Sequence, residues 1–381
     1  MMDKIATLST PPRVLATEFA AVAALHDRDA SFPFDNFKRL REAGLLNLTA
    51  PLADGGEDAG LGRVVSLVGT IAQGCPSTAL VLAMQLIHLK SATHNPLWPE
   101  HLRRLVGRGA GRDGALINAL RVEPNLGSPA RGGLPDTVAR RTAEGWSITG
   151  RKLYSTGSPA LAWMLVWART DEPAPRTGMW LVPAGSDGIE IVETWDQLGL
   201  RASGSHDVVF HAVTVPADHA VDIRLPADWG QRDPQQVAWS TLTVAALYSG
   251  VAHAARDWLI QFLRDRVPSN LGASLATLPR MQEAVGEIDA LLMANRRLIG
   301  GAAADHDAGR ELSGEECNLI KTLAAENAIQ AVQKAVQLTG NHGLSRANPL
   351  ERHLRDVLCA RIHTPQADMA YLAAGRAALG T

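Results

Sequence analysis

The chain is poor in cysteine and in aromatic residues, and it carries almost no net charge. Its three cysteines, Cys75, Cys317 and Cys359, stand far apart among 381 residues. Odd in number and without a CxxC pair, they argue against a disulfide framework or a structural zinc site, and a reducing cytoplasm is the expected setting. A formal net charge of −2 leaves no electrostatic case for nucleic acid or an acidic membrane surface as a partner. No apolar run approaches the ~20 residues needed to cross a bilayer. The opening stretch, MMDKIATLSTPPRVLATEFAAVAALHD, lacks the apolar core and cleavage pattern of a signal peptide. Internal repeats and low-complexity segments are absent too. What is present is the composition of a cytoplasmic, soluble enzyme, 46% hydrophobic and 20% charged.

The order of patterns along the chain is more informative. Helical spacing dominates residues 12–110, where Val14, Leu15, Phe19 and Val22 recur on one face and STALVLAMQLIHLKSATH (77–94) reads as a helix buried on most sides. From about Ala115 the period changes to two. GWSITGRKLYS, WMLVWART, GMWLVPA, GIEIVETW and HDVVFHAVTVP are short strand candidates separated by Gly, Pro, Asp and Ser, the pattern of a small antiparallel barrel or sandwich. After Pro226 the helical period returns in segments at roughly 233–265, 278–306, 313–340 and 352–378, which suits a four-helix bundle. The expected domains are residues 1–112 (N-terminal α-helical), 113–226 (middle antiparallel β-barrel) and 227–381 (C-terminal four-helix bundle).

One stretch, GRKLYSTGSPALAWMLVWART (150–170), raises a chemical question. A plain hairpin is served by Asn-Gly or Asp-Gly, whereas this turn is crowded with hydroxyls and followed by Trp163 and Trp167. Two readings fit: a sheet edge with Ser and Thr in its turn, or a surface for a flat ligand that needs stacking area and donors.

Several motifs coincide with this domain order. Val122-Glu123-Pro124-Asn125-Leu126-Gly127-Ser128-Pro129 resembles a TEPxAGSD segment, and Gly150-Arg151-Lys152-Leu153-Tyr154-Ser155-Thr156-Gly157 resembles GxKxWITN. LGLRASGSHDVVFHAVTVP (198–216) resembles LGLRxSxxxxxxFxxVxVP, Gln337 to Gly343 resembles QxxGGxG, and Arg355-Asp356 resembles an RD pair. Together they make the chain similar to the acyl-CoA dehydrogenase superfamily over roughly residues 15–378. The resemblance implies a flavin, FAD or FMN. Tyr154 takes the place of an aromatic beside the isoalloxazine, Thr156 that of a hydroxyl near N5 and O4, with Ser155 adjacent. Ser128 takes that of the serine near the flavin phosphate and acyl-thioester, though Pro129 replaces the family's aspartate after it. Arg266, Gln337, Gly340 and Gln282 match positions that reach a flavin across subunits, which implies a homotetramer or homodimer. Arg266 also reads as a solvated helix-end arginine near the C-terminal dipole.

The family's catalytic carboxylate is missing. Counted from the RD pair, the usual glutamate position falls on Thr364. The alternative position, on the first bundle helix, falls near Ser240, and no Asp or Glu occurs between Pro234 and His253. What stands nearby is His363, in a His-Thr-Pro segment that resembles the His-Asp-Pro of the dibenzothiophene-type flavin monooxygenases of this superfamily. The KxYSTGS wording resembles that branch as well. His88 matches a second active-site histidine there, and Trp239, Ser240 and Thr364 are expected to line the pocket. Each also has a plain structural reading: a lone histidine on an apolar helix is ordinarily a core residue bonded to a carbonyl. Three functions follow as expectations. One is a monooxygenase using O2 and reduced flavin from a partner flavin reductase, with His363, His88 and Thr156 in the chemistry. Another is an FAD-dependent acyl-CoA dehydrogenase with a displaced base, an acyl-thioester substrate and electron-transfer flavoprotein as partner. The last is a silent binding subunit.

Overall fold

The computed structural model describes residues 10–126, 133–229 and 233–380. Ser128 lies outside the described residues. Five helices come first: α1 (Pro12–Asp29), α2 (Phe34–Glu42), α3 (Leu61–Gly74), α4 (Pro76–His94) and α5 (Glu100–Arg112). Proline at the first positions of α1 and α4 costs no hydrogen bond there and presets the helical φ. α4 is the central element. Nearly every side chain from Pro76 to Leu89 is buried, because the helix packs against α3, α5, the sheet and the bundle. Only Met84, His88 and Ser91, at helical spacing on one face, are half-exposed together with Lys90.

The sheet comprises β1 (Leu116–Leu120), β2 (Val138–Arg141), β3 (Trp146–Ser155), β4 (Leu161–Thr170), β5 (Thr177–Pro183), β6 (Ile189–Val192), β7 (His206–Val215) and β8 (Ala220–Arg224). The order is β6-β7-β3-β2-β4-β5-β8, with β1 also on β4. The five strands expected from alternation are present; β1, β2 and β8, each of four or five residues, are additional. The antiparallel expectation holds for most pairings, but β1 and β2 both join β4 in parallel. These two strands approach β4 from the first helical region and from the loop before β3, so no hairpin turn dictates their direction.

Next come α6 (Pro234–Asp265), α7 (Pro279–Asp307), α8 (Gly314–Thr339), the short α9 (Asn341–Leu344), α10 (Leu350–Leu358) and α11 (Ala367–Leu379). The first three bundle helices match the sequence pattern. The fourth, expected to run unbroken over 352–378, is instead split by a turn at Cys359–Arg361 and by Thr364-Pro365, a cis peptide. Proline supplies no backbone donor and pushes the preceding residue out of helical geometry, so the helix stops there and restarts at Ala367. His363 and Thr364 therefore lie on the break.

One continuous apolar core runs from Leu15 through Trp146 and Phe210 to Ala335, so the helices, sheet and bundle share an interior. Polar ties reinforce it. Both carboxylate oxygens of Asp307, at the end of α7, accept from the first backbone amides of α3, Leu61 N at 2.7 Å and Gly62 N at 2.8 Å. Arg355 on α10 grips Asp27, Glu351 and the Leu198 carbonyl, and Asp356 accepts from Leu200 N at 2.7 Å. The RD pair is thus a clasp joining α1, the sheet and the bundle. Burial raises the Asp356 pKa to about 6 against the opposing Leu200 hydrogen bond.

Candidate functional site

The strand that carries Tyr154, Ser155 and Thr156 is held by a buried ion pair. Lys152 Nζ lies 2.5 Å from Glu123 Oε1 with neither side chain exposed, and the same ammonium donates to the Trp167 carbonyl. Glu123 also accepts from the amides of Asp136 and Thr137. Burial lowers the Lys152 pKa to about 8 although Glu123 opposes it. Burial pushes the Glu123 carboxyl up, but Lys152 and the hydrogen bonds hold it below its ordinary value. Leaving either partner alone in this interior costs about 3–5 kcal/mol.

Just past this anchor the pairing of β3 with β7 slips: between the pairs Lys152–Val208 and Ser155–His206, two residues of β3 oppose one of β7. The bulge puts Tyr154 in the left-handed region, φ 55°, and reverses the alternation. Ser155 turns inward, 1% exposed, and Tyr154 turns outward, 55% exposed, with its ring edge-on to Trp195. Thr156 Oγ1 lies 2.9 Å from Ser205 Oγ, which lies 2.8 Å from Ser203 Oγ, a line of hydroxyls across the strand end. Asn118 on β1 donates to the Thr156 carbonyl at 2.9 Å. β1 is in turn fixed by α4, because Gln85 accepts from Ile117 N at 2.7 Å. Gly157, at φ 79°, adopts the left-handed conformation that favours glycine, and a Cβ there would come within 3.0 Å of Val81 on α4.

This strand end fits a flavin. It has an outward aromatic face, a hydroxyl donor held in line, and the buried Ser155 Oγ without a partner among the described residues. Ser155 faces the interior, so its hydroxyl is separated from the Tyr154 face. Asn118 and Ser205 contact Thr156, and Ser203 contacts Ser205; this grouping was not legible in the chain, because it joins β1, the end of β3 and the turn before β7.

His88 lies on the half-exposed face of α4, and neither ring nitrogen has a hydrogen bond among the described residues. Burial, with the Arg121 guanidinium adding to it, lowers its pKa to about 4. Arg121 itself lies over the Trp167 ring, 4.8 Å from the centroid. The carbonyl-bonded core role is therefore not the one His88 has.

His363 has a different setting. Its Nδ1 lies 2.5 Å from the hydroxyl of Tyr248 on α6, and Tyr248 is fully buried. Lys321 on α8, 2% exposed, donates to the carbonyls of Ala360 at 2.8 Å, His363 at 2.6 Å and Pro365 at 2.9 Å. One buried ammonium thus holds the entire break between α10 and α11. Burial and the nearby Lys321 charge lower the His363 pKa to about 4, and burial lowers that of Lys321 to about 8. Burial drives the Tyr248 phenol well above its ordinary value. At neutral pH the imidazole is therefore neutral and the phenol protonated, while Lys321, lowered to about 8, is mainly charged.

The remaining expected residues are distributed as follows. Trp239 is buried between Lys90, 5.8 Å from its ring centroid, and His306. Ser240 turns its hydroxyl back onto its own helix, toward Gln236 O and Val237 O, rather than into a pocket. Such back-bonding satisfies a helical serine locally, which is why the pocket expectation fails for its side chain. Thr364 is exposed on the turn. Arg266, Gln337 and Gly340 are exposed at one end of the bundle, where His342 packs on Phe262. Arg266 lies ~27 Å along the helix direction from Tyr248, at 1.5 Å per residue. Gln282 donates to the Ala276 carbonyl.

Among the described residues no helix is long and apolar enough to cross a membrane, and no cluster of ligands could hold a metal. Comparison with known proteins gives the family. The family models of the N-terminal, middle and C-terminal domains of acyl-CoA dehydrogenase match residues 5–93, 121–213 and 242–366. The putative acyl-CoA dehydrogenase YdbM of Bacillus subtilis (strain 168) is 32% identical over 94% of this chain and 92% of its own length. Cyclohex-1-ene-1-carbonyl-CoA dehydrogenase of Geobacter metallireducens (strain ATCC 53774 / DSM 7210 / GS-15) is 27% identical over 100% of this chain and 96% of its own. The solved structure of KijD3 in complex with FMN and dTDP-3-amino-2,3,6-trideoxy-4-keto-3-methyl-D-glucose superposes with a TM-score of 0.83 at 29% identity, covering 97% of this chain and 94% of that one. Motifs, three-region fold and relatives agree, and the chain belongs to the acyl-CoA dehydrogenase superfamily of flavin-dependent oxidoreductases.

Proposed function

We propose that this chain is a monooxygenase that takes reduced flavin from a partner reductase and uses O2, rather than a dehydrogenase of acyl thioesters. One observation carries the reading: the places where a base for α-proton removal is expected hold Thr364 and Ser240, and the carboxylates nearby are committed. Asp356 is closed on Leu200, Glu326 pairs with Arg361 at 2.7 Å, and Glu123 is locked to Lys152. Removal of a proton α to a thioester needs a positioned base, which by resemblance to the family is a carboxylate at one of these two places. One neutral histidine, His363, stands beside the first of these places.

A flavin bound at the end of β3 supplies the redox chemistry. Tyr154 covers it from water, and Thr156, aligned by Ser205 and Asn118, donates to its polar edge. His363 and His88, neutral at physiological pH, hold or return a proton to an oxygen species without carrying charge into the site. Arg266, Gln337 and Gly340 reach a flavin in a second subunit of a homotetramer or homodimer. Kinship with KijD3 favours an amine-bearing substrate among the heteroatom classes.

Identity to YdbM and to cyclohex-1-ene-1-carbonyl-CoA dehydrogenase favours the second reading, an acyl-CoA dehydrogenase with a displaced base and electron-transfer flavoprotein as acceptor. Anaerobic titration of the flavin-loaded protein with acyl-CoA thioesters separates the two. We expect no bleaching of the flavin absorbance; bleaching would establish the dehydrogenase and remove the oxygenase reading.

A further inference from the structure

We propose that Tyr248 is a positioning residue that fixes His363 as the Nε2–H tautomer, so that the imidazole presents a donor, not a base, at its open nitrogen. The tautomer follows from the local contacts; its role in oxygen chemistry rests on the monooxygenase reading.

The geometry leaves one satisfied arrangement. The Tyr248 hydroxyl makes a single hydrogen bond among the described residues, to His363 Nδ1 at 2.5 Å. If Nδ1 carried the proton, it would donate to the phenol oxygen and the phenol hydrogen would be left without an acceptor on a side chain that is 0% exposed. A buried donor left unmade is costly, whereas a phenol donating to bare Nδ1 leaves no orphan. The imidazole proton is then on Nε2. That nitrogen has no protein partner among the described residues, and it is not one of the enclosed unpartnered atoms, so it is open to a ligand.

The surroundings fix this state. The groups acting on the pair are Lys321, from α8, and Asp356 and Cys359, from α10 and the turn after it. Lys321 repels a second imidazole proton, and its three carbonyl contacts hold the ring's backbone on the helix break. Tyr248 cannot serve as the proton source itself, because ionised phenolate is strongly disfavoured at a fully buried site beside Asp356.

The test is NMR of the full-length protein labelled with 15N-histidine, with His363→Ala assigning the resonance. The account predicts a neutral His363 at pH 7 with Nε2 protonated and Nδ1 bare. Tyr248→Phe removes one hydroxyl and keeps the ring, and it should shift the Nδ1 resonance and mix the two tautomers while the other histidine signals stay in place. An Nδ1–H tautomer in the unmodified protein overturns the proposal. So does an unchanged His363 signal in Tyr248→Phe. A kinetic arm separates donor from base in the reoxidation of reduced FMN by O2. His363→Gln retains an N–H near the Nε2 position but has no basicity. It should keep a rate within about tenfold of the parent, while His363→Ala falls by about 100-fold, the scale of a lost proton-transfer group. Equal loss in both variants excludes the donor role. Full activity in His363→Ala with the predicted tautomer intact would overturn the monooxygenase role of His363 and leave the Tyr248 assignment standing.

Discussion

Lys152 and Lys321 are both buried, both lowered to a pKa of about 8, and both lie next to a segment expected to carry chemistry. They solve the burial of an ammonium in different ways. Lys152 meets a carboxylate, so its charge is cancelled locally and the pair acts as a rivet behind the β3 bulge. Lys321 meets three carbonyls and no carboxylate; Glu326, whose charge acts on it from a distance, is bound to Arg361. Its uncompensated charge is directed at the turn that holds His363. The contrast teaches that burial alone does not mark a functional lysine. What matters is whether the charge is spent on a partner or left to act on a neighbouring titratable group.

The contrast can be broken first at Lys152. Lys152→Met strands Glu123 in the interior and should cost about 3–5 kcal/mol of unfolding free energy. Urea denaturation measures it, and adding Glu123→Leu should restore most of the loss. Lys321→Met leaves no unpaired charge, so the expected loss is smaller, about 1–3 kcal/mol from hydrogen bonds to a charged group. The same change should raise the His363 pKa from about 4 toward its ordinary value, read by NMR titration. Equal destabilisation by the two substitutions would erase the distinction between the lysines. Thr156→Ala removes one hydroxyl donor from the β3 end and should weaken flavin binding about 2–10-fold by fluorescence titration.

A separate effect is on acid stability. His88 and His363, lowered to about 4, and His353, lowered to about 3, are all held neutral by burial in the folded chain. The unfolded chain binds their protons first, so the stability they contribute is full above pH ~6.5 and is lost as pH falls toward the folded values. Asp356, raised to about 6, opposes this: its contribution grows as pH falls from about 6 toward 4. Three histidines outweigh one aspartate, so denaturant midpoints should drop from pH 6.5 to 4, and less so in His363→Gln.

Much of this architecture was legible in the chain. Period-two alternation located the longer strands, and helical spacing located α6, α7 and α8. β1, β2 and β8 escaped because four or five residues carry little periodicity; β6, equally short, stood out only through its Ile-Glu-Ile-Val alternation. The fourth bundle helix looked continuous because its apolar spacing persists across Pro365, although proline was itself the signal of the break. At the site, the resemblance led to His363, His88 and Thr156. Tyr248 escaped because its partner lies 115 residues away and nothing local marks a tyrosine in the apolar run AALYSGVAH, apart from the scarcity of tyrosine in the chain. Lys321 sits unremarked in ECNLIKTLAAE, and its carbonyl partners exist only once the chain has folded.

Rapid mixing of the protein with reduced FMN, followed by O2 while the flavin absorbance is recorded, tests the central claim most directly. The account predicts reoxidation in resolved phases distinct from those of free flavin, with the slower phase altered in His363→Ala. A single phase at the rate of free reduced FMN would contradict it.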